Sequence, residues 1–321
     1  MSERPVTVLA AGGTIAMAGD GGARPALDAA GLVAAVRGLR VDAARSLTPA
    51  PSVQLTADAA LAVARAACEE AAAGSGVVVT HGTDTLEETA FLCDLLHGGA
   101  APIVFTGAMR PASAPGADGP ANLLDAAAAA RAPESAGLGT LVCFAGELHA
   151  ARDVRKIDST HVAAFGSPRL GPIGHVREGR ARLERRLERR APLAVTRLDA
   201  TVHVVTAGLG ADATILRAAL GAGADGLVAV VLGAGHTPPP FLAALHAAAE
   251  RVPVVVTVRP ERGAILRSTY GFDGAEGDLR AGRLICAGAL SPAAARIKLL
   301  ACLGAGLQGD ALAAAFAPDD A

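Results

Sequence analysis

Residue patterns that mark whole classes of protein are missing from this sequence. Its net charge of −2 over 321 residues lacks the basic excess of a nucleic-acid-binding protein. No apolar run reaches the roughly eighteen residues of a membrane-spanning helix, because charged residues interrupt the alanine-rich stretches. The N-terminal residues lack the basic region, apolar core and cleavage site of a signal peptide. We therefore expect a soluble, cytoplasmic protein that acts on a small molecule, with no nucleic-acid or membrane partner.

Motifs for common cofactors are also missing. The glycine pair at 12–13 does not extend into a G-x-G-x-x-G dinucleotide fingerprint, and the chain has no G-x-x-x-x-G-K-[ST] loop. Its histidines show no H-x-x-x-H spacing of a metal site. Its five cysteines form no C-x-x-C pair, and Cys68, Cys93 and Cys302 fall in helical patterns. The sequence predicts no metal, no cofactor and reduced, buried thiols.

Lysine is nearly absent, since Lys156 and Lys298 are the only lysines among 29 basic residues. Arginine stays protonated in proteins, whereas lysine can lose its proton and act as a base. Lys156 and Lys298 are therefore both candidates for chemistry. Lys298 lies in a predicted helix and is equally well explained as a chance survivor of an arginine-rich composition.

Apolar strand-like runs alternate with helical patterns along the first half of the chain. We predict strands at 6–10, 77–80, 103–106 and 140–144, and helices near 27–39, 57–72, 86–96 and 119–131. Unbroken apolar runs are typical of parallel strands that are buried on both faces. This order predicts an α/β fold whose larger N-terminal domain is a doubly wound, mostly parallel sheet.

A run of charges at 177–190, REGRARLERRLERR, then changes the composition sharply. Such runs are usually solvated surface or linker, so we expect a domain boundary here and not a nucleic-acid site. We predict an N-terminal domain at 1–182, a linker at 183–199 and a smaller C-terminal α/β domain at 200–321. Its strands are predicted near 202–206, 227–232 and 253–258, and its helices near 212–220, 240–250 and 292–303.

Two threonines follow predicted strands at positions suited to chemistry. Thr83 and Asp84 come after the strand at 77–80, and Thr14 comes after the first strand. Open α/β sheets bind ligands at the carboxyl ends of their strands. Thr85 and Glu88 fit a capping box that opens the next helix.

A threonine hydroxyl attacks poorly unless a neighbouring base removes its proton. Thr83, Lys156 and Asp84 could form such a relay, although a nearby aspartate also favours the protonated lysine. Taken singly, each threonine is more often a turn or capping residue than a nucleophile. His81 could serve as the base of a triad, but we interpret it as structural, because the turn at Gly82 breaks the alternation between His81 and Thr83.

Longer motifs carry a family resemblance over nearly the whole chain. The segments AGGTIA at 11–16 and THGTDTLEETA at 80–90 resemble the two threonine signatures of the bacterial-type L-asparaginase and glutaminase family. The segments GAMRP at 107–111, DGPANL at 118–123 and RDVRK at 152–156 resemble further family segments, the last of which carries its lysine. The resemblance implies that Lys156, and not Lys298, is the functional lysine.

The resemblance implies hydrolysis of a side-chain amide to a carboxylate and ammonia through a threonine acyl-enzyme, without metal or cofactor. Thr14 would be the first nucleophile. Thr83, paired with Lys156 and oriented by Asp84, would activate water or assist the attack. The backbone N–H groups of Gly13 and Thr83 would stabilise the oxyanion. The enzyme would be a homodimer or homotetramer.

The resemblance also assigns substrate contacts. Ser52 would bind the α-carboxylate of asparagine and Asp84 its ammonium group, while Glu276 would bind the amino group from a neighbouring subunit. His236 replaces an asparagine that is often found in the family. A turn serine at 52 and a lone surface glutamate at 276 are the structural alternatives.

Two departures from the family pattern leave the function open. Val53 replaces a glutamine, and the glycine-rich segment 17–31, which we interpret as a flexible lid, lacks the catalytic tyrosine. Tyr270 is the only tyrosine and lies far along the chain. The alternatives are therefore a glutaminase or another amide hydrolase, the family's amidotransferase subunit, which normally has an extra N-terminal domain, and a non-catalytic amino-acid-binding protein.

Overall fold

The computed structural model describes residues 4–19 and 22–320. The chain divides into two compact units, Met1–Pro192 and Leu193–Ala321. Among the described residues, no helix is both long and apolar enough to cross a membrane.

The first unit contains twelve strands and four helices among its described residues. The strands are β1 (Val6–Ala11), β2 (Met17–Ala18), β3 (Arg24–Pro25), β4 (Ala43–Ser46), β5 (Gly76–His81), β6 (Ile103–Thr106), β7 (Thr140–Phe144), β8 (Glu147–Ala150), β9 (Arg155–Lys156), β10 (Phe165–Gly166), β11 (Gly174–Arg177) and β12 (Arg180–Leu183). The helices are α1 (Ala29–Ala35), α2 (Ala57–Ala72), α3 (Leu86–Leu96) and α4 (Gly119–Arg131).

Eight of these strands form one sheet in the order β12-β11-β8-β7-β6-β5-β1-β4. The five strands from β4 to β7 are parallel, while β8, β11 and β12 pair antiparallel at the other edge. The chain runs from β1 outward to β4 and then returns to β5 on the opposite side of β1. The strand order therefore reverses between β1 and β5, which is where doubly wound folds bind ligands. The predicted doubly wound, mostly parallel sheet is confirmed.

Burial on both faces explains the unbroken apolar runs of the central strands. Every residue of β1, β5, β6 and β7 is buried. The helices α1 and α4 share a core with one face of the sheet, and α2 packs against α3. Each CH₂ group buried in this way contributes about 0.8 kcal/mol, so the layered packing is the main source of stability.

Residues 177–183 of the charge run form part of the β11–β12 hairpin, and the residues of β12 alternate between exposed and half-buried positions. Two local predictions are wrong. The helix predicted near 27–39 is only Ala29–Ala35. The capping box does not form, because the hydroxyl of Thr85 donates to the carbonyl oxygen of Ser52 at 3.2 Å and does not accept from the first turn of α3.

The second unit holds a four-stranded parallel sheet with helices between the strands. Its strands, in sheet order, are β13 (Val202–Thr206), β14 (Gly226–Val231), β15 (Val254–Val258) and β16 (Ile285–Cys286). Its helices are α5 (Thr214–Gly221), α6 (Pro239–Ala249), α7 (Glu276–Arg280), α8 (Pro292–Gly304) and α9 (Gly309–Asp320). This confirms the predicted smaller C-terminal α/β domain.

Lys298, one of the two lysines, lies in the interior of the second unit. Lys298 is buried in α8, and its ammonium group lies 4.9 Å from the ring centre of Phe316 in α9. A cation over an aromatic face is attracted by the ring quadrupole. Lys298 therefore helps to join α8 to α9 within the second unit.

Backbone turns meet without intervening side chains where β1 and β5 end. Gly13 has a φ of 90°, and a Cβ atom there would lie 2.5 Å from the backbone nitrogen of Gly82. A Cβ atom at Gly82 would lie 2.5 Å from the hydroxyl oxygen of Ser52. Only glycine permits this close approach of the three turns.

We expect Gly13→Ala to lower the free energy of unfolding by more than Gly74→Ala does. Gly74, with a φ of 99°, has open space around a Cβ position. Its replacement therefore costs only the backbone strain of about 1–2 kcal/mol. At Gly13 the overlap with Gly82 adds about 1–3 kcal/mol. Urea denaturation of the two variants measures the difference, and equal losses would show that the turns do not constrain each other.

His81 is the last residue of β5 and is fully buried. Its Nδ1 atom lies 2.8 Å from the carbonyl oxygen of Gly82, and burial lowers the pKa of His81 to about 4. His149 is buried in the same sheet, and burial lowers its pKa to about 4 as well. Both imidazoles are therefore neutral inside the sheet at neutral pH, and the interpretation of His81 as structural stays a prediction.

We expect the protein to lose stability as the pH falls from about 6.5 to about 4, because the unfolded chain then binds protons that folded His81 and His149 do not. The full shift at one histidine corresponds to about 3 kcal/mol. Denaturant titrations across this window should show a shallower pH dependence for His81→Gln than for the native chain. His203→Gln, at an exposed histidine, is the control. If stability depended on pH as steeply in His81→Gln as in the native chain, His81 would not be a source of the pH dependence.

Candidate active site

The two threonine turns lie side by side at the carboxyl edge of the first sheet. Strands β1 and β5 are adjacent and parallel, with Ala11 opposite His81. Thr14 opens a short 3₁₀ turn three residues after Ala11, and Thr83 follows His81 by two residues. Thr14 is half-buried and Thr83 is buried. The register of the sheet therefore brings both hydroxyl-bearing turns to one place.

Lys156 completes a three-residue cluster at the second turn. Its ammonium nitrogen donates to the Thr83 hydroxyl oxygen at 2.9 Å and to Asp84 Oδ1 at 2.8 Å. The Lys156 side chain is 20% exposed and that of Asp84 is 64% exposed, so water reaches the carboxylate more than the amine. The predicted association of these three residues is present in the structure.

Glu87 holds the backbone of the lysine in position. It lies in the first turn of α3, and its carboxylate accepts a hydrogen bond from the Lys156 backbone N–H at 2.5 Å. Burial raises the pKa of Glu87, while this hydrogen bond and the charge of Arg155 lower it. This role of Glu87 is not predictable from the sequence, because nothing in the spacing indicates that residues 87 and 156 meet.

Ser52 closes a third side of the site. It is buried in the 3₁₀ turn Ser52–Gln54, and its hydroxyl faces Gly82. The Thr85 hydroxyl donates a hydrogen bond to the Ser52 carbonyl oxygen, and this bond joins the turn at 52 to the start of α3. The side chain of Val53, by contrast, is 72% exposed.

The segment 107–122 is fixed by side-chain hydrogen bonds. The carboxylate of Asp118 accepts from the backbone N–H groups of Met109 and Arg110. The Asn122 amide donates to the Gly107 carbonyl at 3.0 Å and accepts from the Ala145 N–H at 3.0 Å. The motifs at 107–111 and 118–123 therefore form one rigid support beside the carboxyl ends of β6 and β7.

The segment 17–31 contains a small hairpin in which β2 pairs with β3. The Ala112 N–H donates to the Met17 carbonyl at 2.9 Å, and the Gly19 N–H donates to the Ser113 hydroxyl at 3.2 Å. Gly21 lies outside the described residues. The interpretation of this segment as a lid stays a prediction.

Glu276 and His236 lie in the second unit. Glu276 is fully buried and accepts from the backbone N–H groups of Thr269 and Tyr270, so the alternative of a lone surface glutamate is wrong. Burial acts to raise the pKa of Glu276, but the backbone hydrogen bonds lower it below its usual value. His236 Nε2 lies 3.7 Å from the second carboxylate oxygen of Glu276. The glutamate therefore anchors the loop that carries Tyr270.

No group of three His, Cys, Asp or Glu side chains in the described part of the chain is placed to hold a metal ion. The site described above consists of hydroxyls, one amine, carboxylates and backbone N–H groups. Such a set suits acyl transfer by a hydroxyl nucleophile.

Comparison with known proteins agrees with this geometry. Sequence models of the family match the chain as asparaginase, N-terminal, over residues 5–189 and as glutaminase/asparaginase C-terminal domain over residues 201–316. A probable periplasmic L-asparaginase of Haemophilus influenzae is 33% identical over 308 residues, which cover 92% of this chain and 87% of that protein. A probable L-asparaginase of Deinococcus radiodurans is 41% identical over 243 residues, 74% of each chain.

A similar solved structure is that of a probable cytoplasmic L-asparaginase from Campylobacter jejuni. It matches with a TM-score of 0.86 at 28% identity and covers 98% of this chain and 99% of that chain. The similarity of sequence and of fold thus extends over both halves. Together with the paired threonine turns, these matches show that the chain belongs to the asparaginase family of amide hydrolases.

Proposed function

We propose that this L-asparaginase-like amidohydrolase converts L-asparagine to L-aspartate and ammonia with Thr14 as the nucleophile. The observation that carries the proposal is the position of Lys156, whose amine lies 2.9 Å from the Thr83 hydroxyl and 2.8 Å from Asp84 beside the Thr14 turn. The motifs at 11–16 and 80–90 and the L-asparaginases of similar sequence support the same substrate.

The reaction has two halves, acylation and hydrolysis, and each half passes one proton through the relay. The hydroxyl of Thr14 attacks the side-chain amide carbon, and its proton passes to the relay of Thr83 and Lys156. The relay then protonates the amide nitrogen, so the C–N bond breaks and ammonia leaves an acyl ester on Thr14. A water molecule, deprotonated by the same relay, hydrolyses the ester and restores Thr14. Lys156 must begin the first step as a neutral amine, since a protonated amine cannot accept a proton.

Backbone and side-chain groups around the threonines would hold the substrate. The N–H groups of Gly13 and Thr83 stabilise the oxyanion that forms during attack. Ser52 binds the α-carboxylate of asparagine, and Asp84, which is largely exposed, binds its ammonium group. Contacts to both charged groups separate an amino-acid amide from a generic amide.

The proposal also covers the oligomeric state, the domain boundaries and the cellular location of the protein. Glu276 would bind the substrate amino group in a neighbouring subunit of a homodimer or homotetramer. The domains would be 1–182 and 200–321 with a linker at 183–199, a range that contains the division between the compact units after Pro192. We propose a cytoplasmic location, and the similar Campylobacter jejuni protein, a probable cytoplasmic L-asparaginase, supports it.

Thr14→Ala should abolish ammonia release from L-asparagine, since the variant lacks the hydroxyl that forms the acyl ester in the proposed reaction. We expect a loss of at least about a thousandfold in kcat, comparable to the removal of a nucleophile in other acyl-transfer enzymes. Purified native chain and variant are compared with L-asparagine, D-asparagine, L-glutamine and a simple peptide amide. Faster turnover of glutamine than of asparagine would identify a glutaminase. Both substrates are tested because they differ by one methylene, which changes the preference of a pocket by only about 1–3 kcal/mol.

Unchanged ammonia release in Thr14→Ala would refute the assignment of Thr14 as the nucleophile. Failure of the native chain to hydrolyse any of the four amides, while L-asparagine or L-aspartate still raises Tm, would identify a non-catalytic amino-acid-binding protein. Lys156→Arg serves as a second variant because arginine can still donate a hydrogen bond to Asp84 but stays protonated and cannot act as a base.

Glu87→Ala should lower kcat by about tenfold with a smaller change in KM, because the Lys156 backbone loses its hydrogen-bond acceptor and the amine is less often in place. Glu87→Gln retains an acceptor oxygen and should keep most of the activity. Steady-state kinetics of both variants are measured with L-asparagine over a range of pH. Equal activity in Glu87→Ala and the native chain would show that the contact does not position the lysine.

A further inference from the structure

Two thiols and an imidazole face one another between α2 and α3, outside the proposed site. The Cys93 thiol, which is fully buried in α3, points at α2 with its sulfur 3.8 Å from the Ala64 carbonyl oxygen. One turn further along α2, the sulfur of half-buried Cys68 lies 4.0 Å from the Cys93 carbonyl oxygen. Both thiols therefore lie at the interface of the two helices, where the Cys93 side chain interacts with that of Cys68.

His97 interacts with Cys68 and is held in place by contacts of its own. It follows the last residue of α3, is buried, and its Nε2 atom lies 2.9 Å from the Ala101 carbonyl oxygen. A carbonyl only accepts, so Nε2 carries the hydrogen and Nδ1 is left as an acceptor in the neutral ring. The guanidinium group of Arg189 donates to the carbonyls of His97 and Gly99, which fixes the segment that holds the ring.

The surroundings distinguish the two thiols. A hydrogen bond from Cys93 and a second interaction with His97 lower the pKa of Cys68 to about 6, against the opposing effects of burial and of Asp94. Burial and the neighbouring Cys68 raise the pKa of Cys93 well above its usual value. Of the two thiols, Cys68 is therefore the one that loses its proton more readily, and Cys93 is the one that keeps it.

We propose that Cys68 is a peroxide-reactive thiol, activated by His97, and that Cys93 captures its oxidised form as a disulfide between α2 and α3. The assignment rests on the facing sulfur atoms, the oriented imidazole and the partial exposure of Cys68. The proposal does not depend on which amide the enzyme hydrolyses, because none of these residues belongs to the cluster of Thr83, Asp84 and Lys156.

The chemistry uses hydrogen peroxide as the oxidant. His97 takes the proton of Cys68, and the thiolate displaces hydroxide from the peroxide, which leaves Cys68 as a sulfenic acid. The Cys93 sulfur then attacks the Cys68 sulfur, an S–S bond forms, and water leaves with the Cys93 proton. Over both steps, two thiols and one peroxide give one disulfide and two waters. A thiol reductant such as glutathione reverses the reaction by thiol–disulfide exchange.

The test treats the full chain with one equivalent of hydrogen peroxide at pH 7 and maps the products by mass spectrometry without reduction. Trypsin leaves both cysteines in one peptide, since there is no lysine or arginine from 66 to 109, whereas cleavage after Glu70 and Glu88 separates them. We expect a Cys68–Cys93 cross-linked pair in the native chain. It should also form in Cys286→Ser, which removes the other half-buried cysteine and is the matched control.

Variants of the cluster separate activation from capture. In Cys93→Ser, Cys68 should accumulate as a sulfenic acid that dimedone labels. In His97→Gln, alkylation of Cys68 by iodoacetamide at pH 7 should slow by about tenfold, because less of the thiol is ionised. Circular dichroism confirms that each variant is folded, and the cross-link in the native chain needs no variant.

Two results would overturn the proposal. The first is oxidation or alkylation of Cys286 as fast as that of Cys68, which would mean that the cluster confers no reactivity. The second is a native chain in which Cys68 proceeds to sulfinic acid without a cross-link to Cys93, which would mean that the buried thiol cannot reach it.

Discussion

The close contact of three backbone turns is the constraint on which the site depends. Gly13 lies against the Gly82 backbone, and Gly82 lies against the buried side chain of Ser52, so a side chain at either glycine would push the turns apart. Because the turns after β1 and β5 leave adjacent strands of one sheet, backbone contacts and not flexible side chains set the separation of these two turns. Catalytic groups need this precision, since small displacements cost large factors in rate.

A second layer of contacts orients the chemistry on that frame. Lys156 sits on a two-residue strand, which alone would hold a long side chain poorly. Its backbone is bound by Glu87 and its amine by Thr83 and Asp84, so three contacts from the start of α3 and the turn before it hold one residue. The strands β1 and β5 thus position the two threonine turns, and helix α3 positions the lysine through Glu87.

Much of this could be predicted from sequence because it depends on local pattern. The apolar runs of β5, β6 and β7 and the helical patterns of α2, α3 and α4 are strong signals, and their bounds agree with the structure to within a residue. The strand β4 carries no apolar run, since all four of its residues are exposed, and it exists only because β1 offers an edge. The contact of Glu87 with Lys156 joins residues 69 positions apart and leaves no trace in spacing.

The register of β1 between β4 and β5 has a consequence for changes in chain length. Ala10, near the end of β1, is paired on both sides, with Ser46 and with Thr80. Insertion or deletion of one residue within β1 would shift the chain beyond it by about 3.3 Å and turn the following strand residues toward the other face of the sheet. The strand that leads to Thr14 therefore tolerates substitution far better than a change in its length.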